Sequence, residues 1–282
     1  MKKLLFSALI SSLMFGIVGC GSSGTASTTN NAAPAPAPAQ APSEQKAEQN
    51  LLDKVKAEGK LVIGTEGTYA PFTFHDQSGK LTGFDVEVIS EVAKRLGVEP
   101  VFQETQWDAM FAGLDSKRFD LVANQVGIRP DRQEKYDFSN PYTVSTAVLV
   151  THKDNNTVTG FDSIKGLKAA QTLTSNLTDI AKQNGAEIVA VEGFNQAIDL
   201  LVSKRVDVTI NDGLSLLDFL KQKPDTPIKI IAKHPDGAKN GFLFRKGSTE
   251  LVEAVNKALD DMTKDGTFQQ ISEKWFGADV SK

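Results

Sequence analysis

From about residue 50 onward, short apolar runs alternate with longer amphipathic ones, the pattern of an α/β chain. "KLVIGT" reads as a first strand. "DVEVISEVAKRLGV" reads as a helix with Asp85 as its cap, Val88, Ile89, Val92, Ala93 and Leu96 on one face, and Gly97 ending it. "VEPVFQET", "WDAMFAGLDSK" and "FDLVANQV" follow as strand, helix and strand, and "SNPYTVSTAVLVTHK" is an extended segment long enough to cross between two bodies. A second set then begins, with "LKAAQTLT", "AEIVAVE" and "VDVTIND" as strands, each followed by a helical stretch. "PIKIIAKH" and "GFLFRKG" return as two separate strands before two closing helices. Because these last elements come after a complete second unit, the chain is expected to cross back and finish the first. Two lobes joined by two crossings result.

A short internal repeat supports that organisation. "LDSKRFDLVANQ" aligns without a gap on "LVSKRVDVTIND", with Ser116, Lys117, Arg118 and Asp120 recurring as Ser203, Lys204, Arg205 and Asp207. Each copy is a helix end, a turn and a strand finishing in a polar pair, Asn124-Gln125 or Asn211-Asp212. Ligands of open α/β sheets bind outside the carboxyl ends of strands, so each lobe is expected to aim its pair at the space between them.

Composition narrows the function classes. The 282 residues are 40% hydrophobic and 23% charged with a net charge of -4, which suits a soluble globular protein and leaves no basic footprint for nucleic acid. The start is different. "MKKLLFSALISSLMFGIVGC" has a basic tip, an apolar run of about 15 residues, too short for a spanning helix, and then Cys20. It reads as an export signal over 1–19. Cys20 is the single cysteine, so no disulfide within the chain is expected. The Ala-Pro and Ser/Thr-rich stretch to residue 49 buries too little apolar surface to fold and reads as a linker. Lobe boundaries are expected at 50–146 plus 238–282 for the first and 147–237 for the second.

"QVGIRPDR" places Arg129 and Arg132 beside Pro130 at a helix start, where cations oppose the helix dipole. Either the turn is solvated or an anion arrives from outside. Enzyme motifs are missing: His75, His152 and His234 stand far apart, and no G-x-S-x-G, P-loop or G-x-G-x-x-G occurs. No metal and no cofactor is expected.

Taken together, "GTEGTYAPFTF", "LTGFDVEVISEVAKRLG", "FDLVANQVGIRPDRQEKYDFSNPY", "GFLFRKG" and "FQQISEKWFG" resemble the polar amino-acid solute-binding proteins (family 3) of ATP-driven (ABC) importers. "ETQWDAMFAGLDSKRFDLVANQVG" is most similar to the cystine-binding branch. The resemblance implies a two-lobed periplasmic-binding-protein-like fold of type II and a monomeric extracytoplasmic receptor that delivers an amino acid, L-cystine first among candidates, to permease subunits. "IVGC" resembles a lipobox, implying a lipid on Cys20 and anchoring to the membrane.

Carried over by position, the resemblance puts Arg132 on the ligand's α-carboxylate and Asp212 on its α-ammonium; Asp212 equally suits an N-cap of the next helix. Tyr69 and Trp107 match aromatics that sandwich the ligand side chain, or else belong to the core. Asn124, Gln125 and Gly127 line the strand end where relatives carry small hydroxyl residues, which favours a longer, neutral ligand. Thr174 and Ser175 match a helix N-terminus that meets the carboxylate. Glu66 either takes a second ammonium or is a solvated loop residue. A same-fold cyclohexadienyl dehydratase is the enzyme alternative, and it would need a general acid in the cleft.

Overall fold

The computed structural model describes residues 50–281. The expected signal peptide, Cys20 and the linker up to residue 49 lie outside the described residues. In chain order, α1 (Leu51–Glu58), β1 (Lys60–Thr65), β2 (Thr68–Tyr69), β3 (Thr73–His75), β4 (Leu81–Thr82), α2 (Phe84–Leu96), β5 (Glu99–Glu104), α3 (Trp107–Asp115), β6 (Leu121–Gly127), α4 (Pro130–Gln133) and β7 (Tyr136–Phe138) come first. β8 (Thr143–His152) leads into β9 (Lys168–Gln171), α5 (Asn176–Gln183), β10 (Glu187–Ala190), α6 (Phe194–Val202), β11 (Val208–Asp212) and α7 (Gly213–Gln222). β12 (Ile228–Arg245) returns, and α8 (Thr249–Lys264) and α9 (Thr267–Phe276) close the chain.

Among the described residues these strands form a sheet in the order β10-β9-β11-β8-β12-β6-β1-β5, with β7 on β12 and β2, β3 and β4 in a small sheet of their own. β1 pairs parallel with β5 and β6 in the first lobe, as β9 does with β10 and β11 in the second. Between the two sets run β8 and β12, antiparallel to each other, β8 against β11 and β12 against β6. They are the two crossings.

Alternation on the strands explains the layers. Val148 and Val150 pack against Phe194, Ile198, Leu201 and Leu216, while the intervening Ala147 and Leu149 pack with Val158, Ile164, Val208 and Ile210 on the opposite face. In the first lobe Phe242 and Phe244 join Val88, Val92, Val255 and Met262, whereas Leu243 joins Trp107, Met110, Phe119 and Val126. Helices therefore cover both faces of each half.

Two expectations are corrected. "PIKIIAKH" and "GFLFRKG" are parts of one strand, β12, whose register against β8 shifts between Ile230 and Ala232 and between Lys233 and Gly237. The polar stretch between them lacks the apolar pattern of a strand, but β8 supplies the backbone partners, and Pro235 falls where the ladder is irregular and no donor is missed. Asp85, expected as a cap, lies inside the first turn of α2; the N-cap is Gly83 at φ 132°, where a Cβ would stand 2.2 Å from the Phe72 carbonyl oxygen. Asp85 is fully buried and faces the strand ends instead.

The repeat is built alike in both lobes. Lys117 and Lys204 both adopt positive φ, 60° and 57°, ending α3 and α6. Asp120 then accepts from Val62 N at 3.0 Å, and Asp207 from Lys168 N at 2.8 Å, so each aspartate clamps the neighbouring strand of its own lobe. Asp120 is 1% exposed whereas the Asp207 bond is open to solvent. Asp120→Ala should therefore cost about 2 kcal/mol of stability, through an unsatisfied buried N–H and a lost anion, and Asp207→Ala about 1 kcal/mol or less. Urea unfolding of the two variants measures the difference, and equal losses would refute the burial argument.

Candidate functional site

The carboxyl ends of β1, β6, β9 and β11 converge on a cleft between the lobes. Glu66, Tyr69, Trp107, Asn124, Gln125, Ser175 and Asp212 line it, as expected, as does Asn211 of the second strand-end pair, together with Ser145, Asn176, Phe194 and Asn240, which the sequence did not mark. Gly127, Arg132 and Thr174 adjoin it without lining it. A Cβ on Gly127 would lie 3.6 Å from both Arg132 Nη1 and the Asn176 side chain, so the glycine leaves room where these residues meet.

Arg132 is 5% exposed. Its guanidinium donates to the Gly127 carbonyl at 3.0 Å and to the Thr174 carbonyl of the other lobe at 3.1 Å, with the rings of Trp107 and Phe111 at 5.6 and 5.3 Å. Among the described residues no carboxylate forms an ion pair with it. Burial, reinforced by the nearby Arg129, pulls its pKa down to about 10. Arg129 is different: Nη1 meets Asp179 of α5 at 2.6 Å and Nε meets Asp131 at 2.9 Å, so this arginine ties one lobe to the other.

Opposite charge is also left unpaired. Glu66 Oε2 accepts from Asn124 Nδ2 at 2.5 Å, and no cation pairs with it among the described residues. Burial raises its pKa to about 7 despite that hydrogen bond. Because the folded value is raised, the protonated carboxyl contributes stability fully below about 4.5, and that contribution is lost as pH rises through about 7. Asp212 is the N-cap of α7, its Oδ1 accepting from Leu214 N at 2.8 Å, while Oδ2 accepts from Ser145 Oγ and the residue lines the cleft. Burial raises its pKa too.

The remaining expected residues are engaged within the protein. Tyr69 OH donates to Asn211 Oδ1 at 2.9 Å across the lobes, its ring lying between Phe72 and Phe194. Gln125, at φ 50°, gives its N–H and its Nε2 to Asp85 at 2.7 and 2.8 Å. Its amide is therefore held by the fold rather than free. Ser175 caps α5 through Leu177 N at 3.1 Å. Thr174 gives its N–H and hydroxyl to Asp108 at 2.9 and 2.7 Å, and Leu173 N joins them at 3.0 Å. Trp107 Nε1 is a buried donor without a partner among the described residues. Ser145 and Asn240 escaped the sequence reading because a lone polar residue in a crossing strand looks like any solvated strand position. These residues offer no cluster able to hold a metal, and no described helix is long and apolar enough to cross a membrane.

Residues 61–278 match the model of the bacterial extracellular solute-binding proteins, family 3. The chain is 47% identical over 283 residues to the L-cystine-binding protein TcyA of Bacillus subtilis, covering 100% of both. It is 46% identical to the L-cystine solute receptor of Neisseria gonorrhoeae in its unliganded open conformation, over 83% of this chain and 100% of that one, with a TM-score of 0.56. The ancestral amino acid-binding protein AncCDT-1, a precursor of cyclohexadienyl dehydratase, is 33% identical over 81% of this chain and 100% of its own, with a TM-score of 0.74. Motif order, cleft and full-length likeness agree: the chain belongs to the bacterial extracellular solute-binding proteins of family 3.

Proposed function

We propose that this protein is the extracytoplasmic amino-acid receptor of an ABC importer, that its ligand is L-cystine, and that it binds without catalysing a reaction. The observation that carries the reading is Arg132, a buried guanidinium that forms no ion pair among the described residues, beside a cleft whose carboxylates Glu66 and Asp212 likewise have no cation paired with them there. Burying a charge without a partner costs several kcal/mol, so a ligand that supplies the missing charges binds where the fold is incomplete. An amino acid's carboxylate meets the fork of Arg132 and displaces its carbonyl acceptors, and the α-ammonium meets Asp212.

Cystine adds a second ammonium for Glu66 and a second carboxylate for which the Trp107 N–H is an unused donor. Likeness to the two cystine proteins favours this ligand over a simple neutral amino acid. Asn124 and Gln125 shape the floor between the charged ends, with Gly127 beside it. The lobes are 50–146 plus 238–282 and 147–237, and contacts reaching both make the closed state favourable. The protein works as a monomer held at the membrane by a lipid on Cys20. Cys20→Ser should release it from the membrane fraction on cell fractionation; retention there would remove the anchor from this account.

Isothermal titration under non-reducing conditions should give at least tenfold weaker L-cystine binding for Arg132→Ala and for Asp212→Ala, as for removal of one partner of a buried charged contact. Near-normal affinity in both would defeat the site. Likeness to AncCDT-1 and the raised pKa of Glu66 are the observations on the side of dehydratase chemistry; incubation with prephenate or arogenate is expected to yield no aromatic product.

Glu66 gives a pH test. An ammonium beside it favours the ionised carboxylate, so binding must displace a proton below about pH 7. Cystine affinity should fall on the order of tenfold between pH 7.5 and 5.5, and Glu66→Gln should flatten that slope while binding more weakly at pH 7.5. An unchanged slope in the variant would take Glu66 out of the site.

A further inference from the structure

The hydrogen bonds that hold Asp212 continue beyond it, through both crossing strands, to a residue that neither the motifs nor the strand-end pairs marked. Asn240 is 4% exposed and sits on β12 where that strand meets both neighbours, opposite Thr143 of β8 and Gly127 of β6. Its Nδ2 donates to Thr143 Oγ1 at 3.0 Å and more weakly to Ser145 Oγ at 3.4 Å. Each hydroxyl passes its own proton onward. Ser145 Oγ donates to Asp212 Oδ2, and Thr143 Oγ1 donates to Gln125 Oε1 at 2.8 Å. Gln125 Nε2 then donates to Asp85 Oδ1.

The direction of every bond is set from the two ends. Burial raises the pKa of both end carboxylates, Asp85 to about 7, but in their ionised forms they only accept, so there Ser145 is the donor toward Asp212, and Gln125 turns its amide nitrogen to Asp85 and its carbonyl to Thr143. Both hydroxyls are left with lone pairs facing β12. A side-chain amide can give one hydrogen to each of two such acceptors, which neither a carboxylate nor an alkyl group can do. Thr143, Ser145, Gln125 and Asn240 are all buried, where a half-satisfied polar chain is costly.

We propose that Asn240 is a positioning residue for ligand binding. Its amide commits the Ser145 hydroxyl to Asp212, which holds Oδ2 while Oδ1 caps α7, and so orients the carboxylate that receives the α-ammonium. Through Thr143 and Gln125 the same amide ties that acceptor to Asp85 in the other lobe. The inference rests on the reading of Asp212 as ammonium acceptor.

L-cystine titration of Asn240→Asp, Asn240→Ala, Ser145→Ala, Ser145→Ala/Asn240→Ala and Asp212→Ala tests it, with thermal unfolding of each ligand-free variant alongside. Asn240→Asp keeps the shape but replaces the donors with acceptors, drawing the Ser145 hydroxyl away and placing a like charge near Asp212. At least tenfold weaker binding is expected. Ser145→Ala/Asn240→Ala should lose clearly less affinity than the product of the two single losses, because on Asp212 both act through the same hydroxyl; a merely structural role would lower the melting temperature without that non-additivity. Equal or tighter binding by Asn240→Asp, or a double-variant loss equal to the product of the single losses, overturns the proposal. Should Asn240→Asp fail to fold, the alanine cycle decides alone. Wild-type affinity in Asp212→Ala would instead remove the underlying reading of Asp212.

Discussion

A guanidinium that is 5% exposed, with carbonyl oxygens and two aromatic faces as its surroundings, is held away from water with no ion pair among the described residues to offset its desolvation. Much of the local architecture serves to keep it there. Gly127 leaves space beside it, Trp107 and Phe111 present ring faces, and Thr174 brings a carbonyl from the other lobe. Glu66 and Asp212 carry the complementary deficit, their pKa values raised because burial disfavours the charged form. The cleft is thus electrostatically incomplete in both signs.

The lobes are held in register by the sheet itself. β8 and β12 pass through the middle of one sheet, so each lobe is bonded to the other by backbone ladders as well as by side chains across the cleft. The direct side-chain clasps are polar: Arg129 with Asp179, Asp108 with the Leu173–Thr174 backbone, and Tyr69 with Asn211. Polar groups of this kind exchange readily for water when the lobes separate, and each contributes little net stabilisation to the closed form. Differential affinity of the ligand for the closed state then decides the balance. The left-handed backbone of Gln125 and its bonds to Asp85 give the first lobe a rigid anchor at the point where β6 ends.

Much of this was legible in the sequence. Hydrophobic alternation marked the longer strands of the main sheet and most helices, though not the short β2, β3, β4 and β7 or α1, and the Ser-Lys-Arg-x-Asp repeat announced two lobes with the same helix-to-strand turn, down to the positive φ of Lys117 and Lys204. The motif-bearing residues Glu66, Tyr69, Trp107, Asn124, Gln125, Ser175 and Asp212 do meet in one cleft. What escaped has a common physical cause. β12 was divided in two because its polar middle is held by backbone pairing, which leaves no trace in side-chain polarity. Asp85 looked like a cap because its neighbours across the fold, Gln125 and Tyr142, are 40 and 57 residues away in the chain.

By itself the sequence determined the periodicities, the repeat and the charged residue types at the strand ends, since these follow from local chemistry and spacing. Only the tertiary structure decided which charges go unpaired. Arg129 and Arg132 are three positions apart and equally cationic, yet among the described residues one pairs with Asp179 and the other pairs with no carboxylate, because α5 of the second lobe brings its aspartate into contact with the first alone. Pairing is a property of distance in space, and distance in space is fixed by packing between segments far apart in the chain.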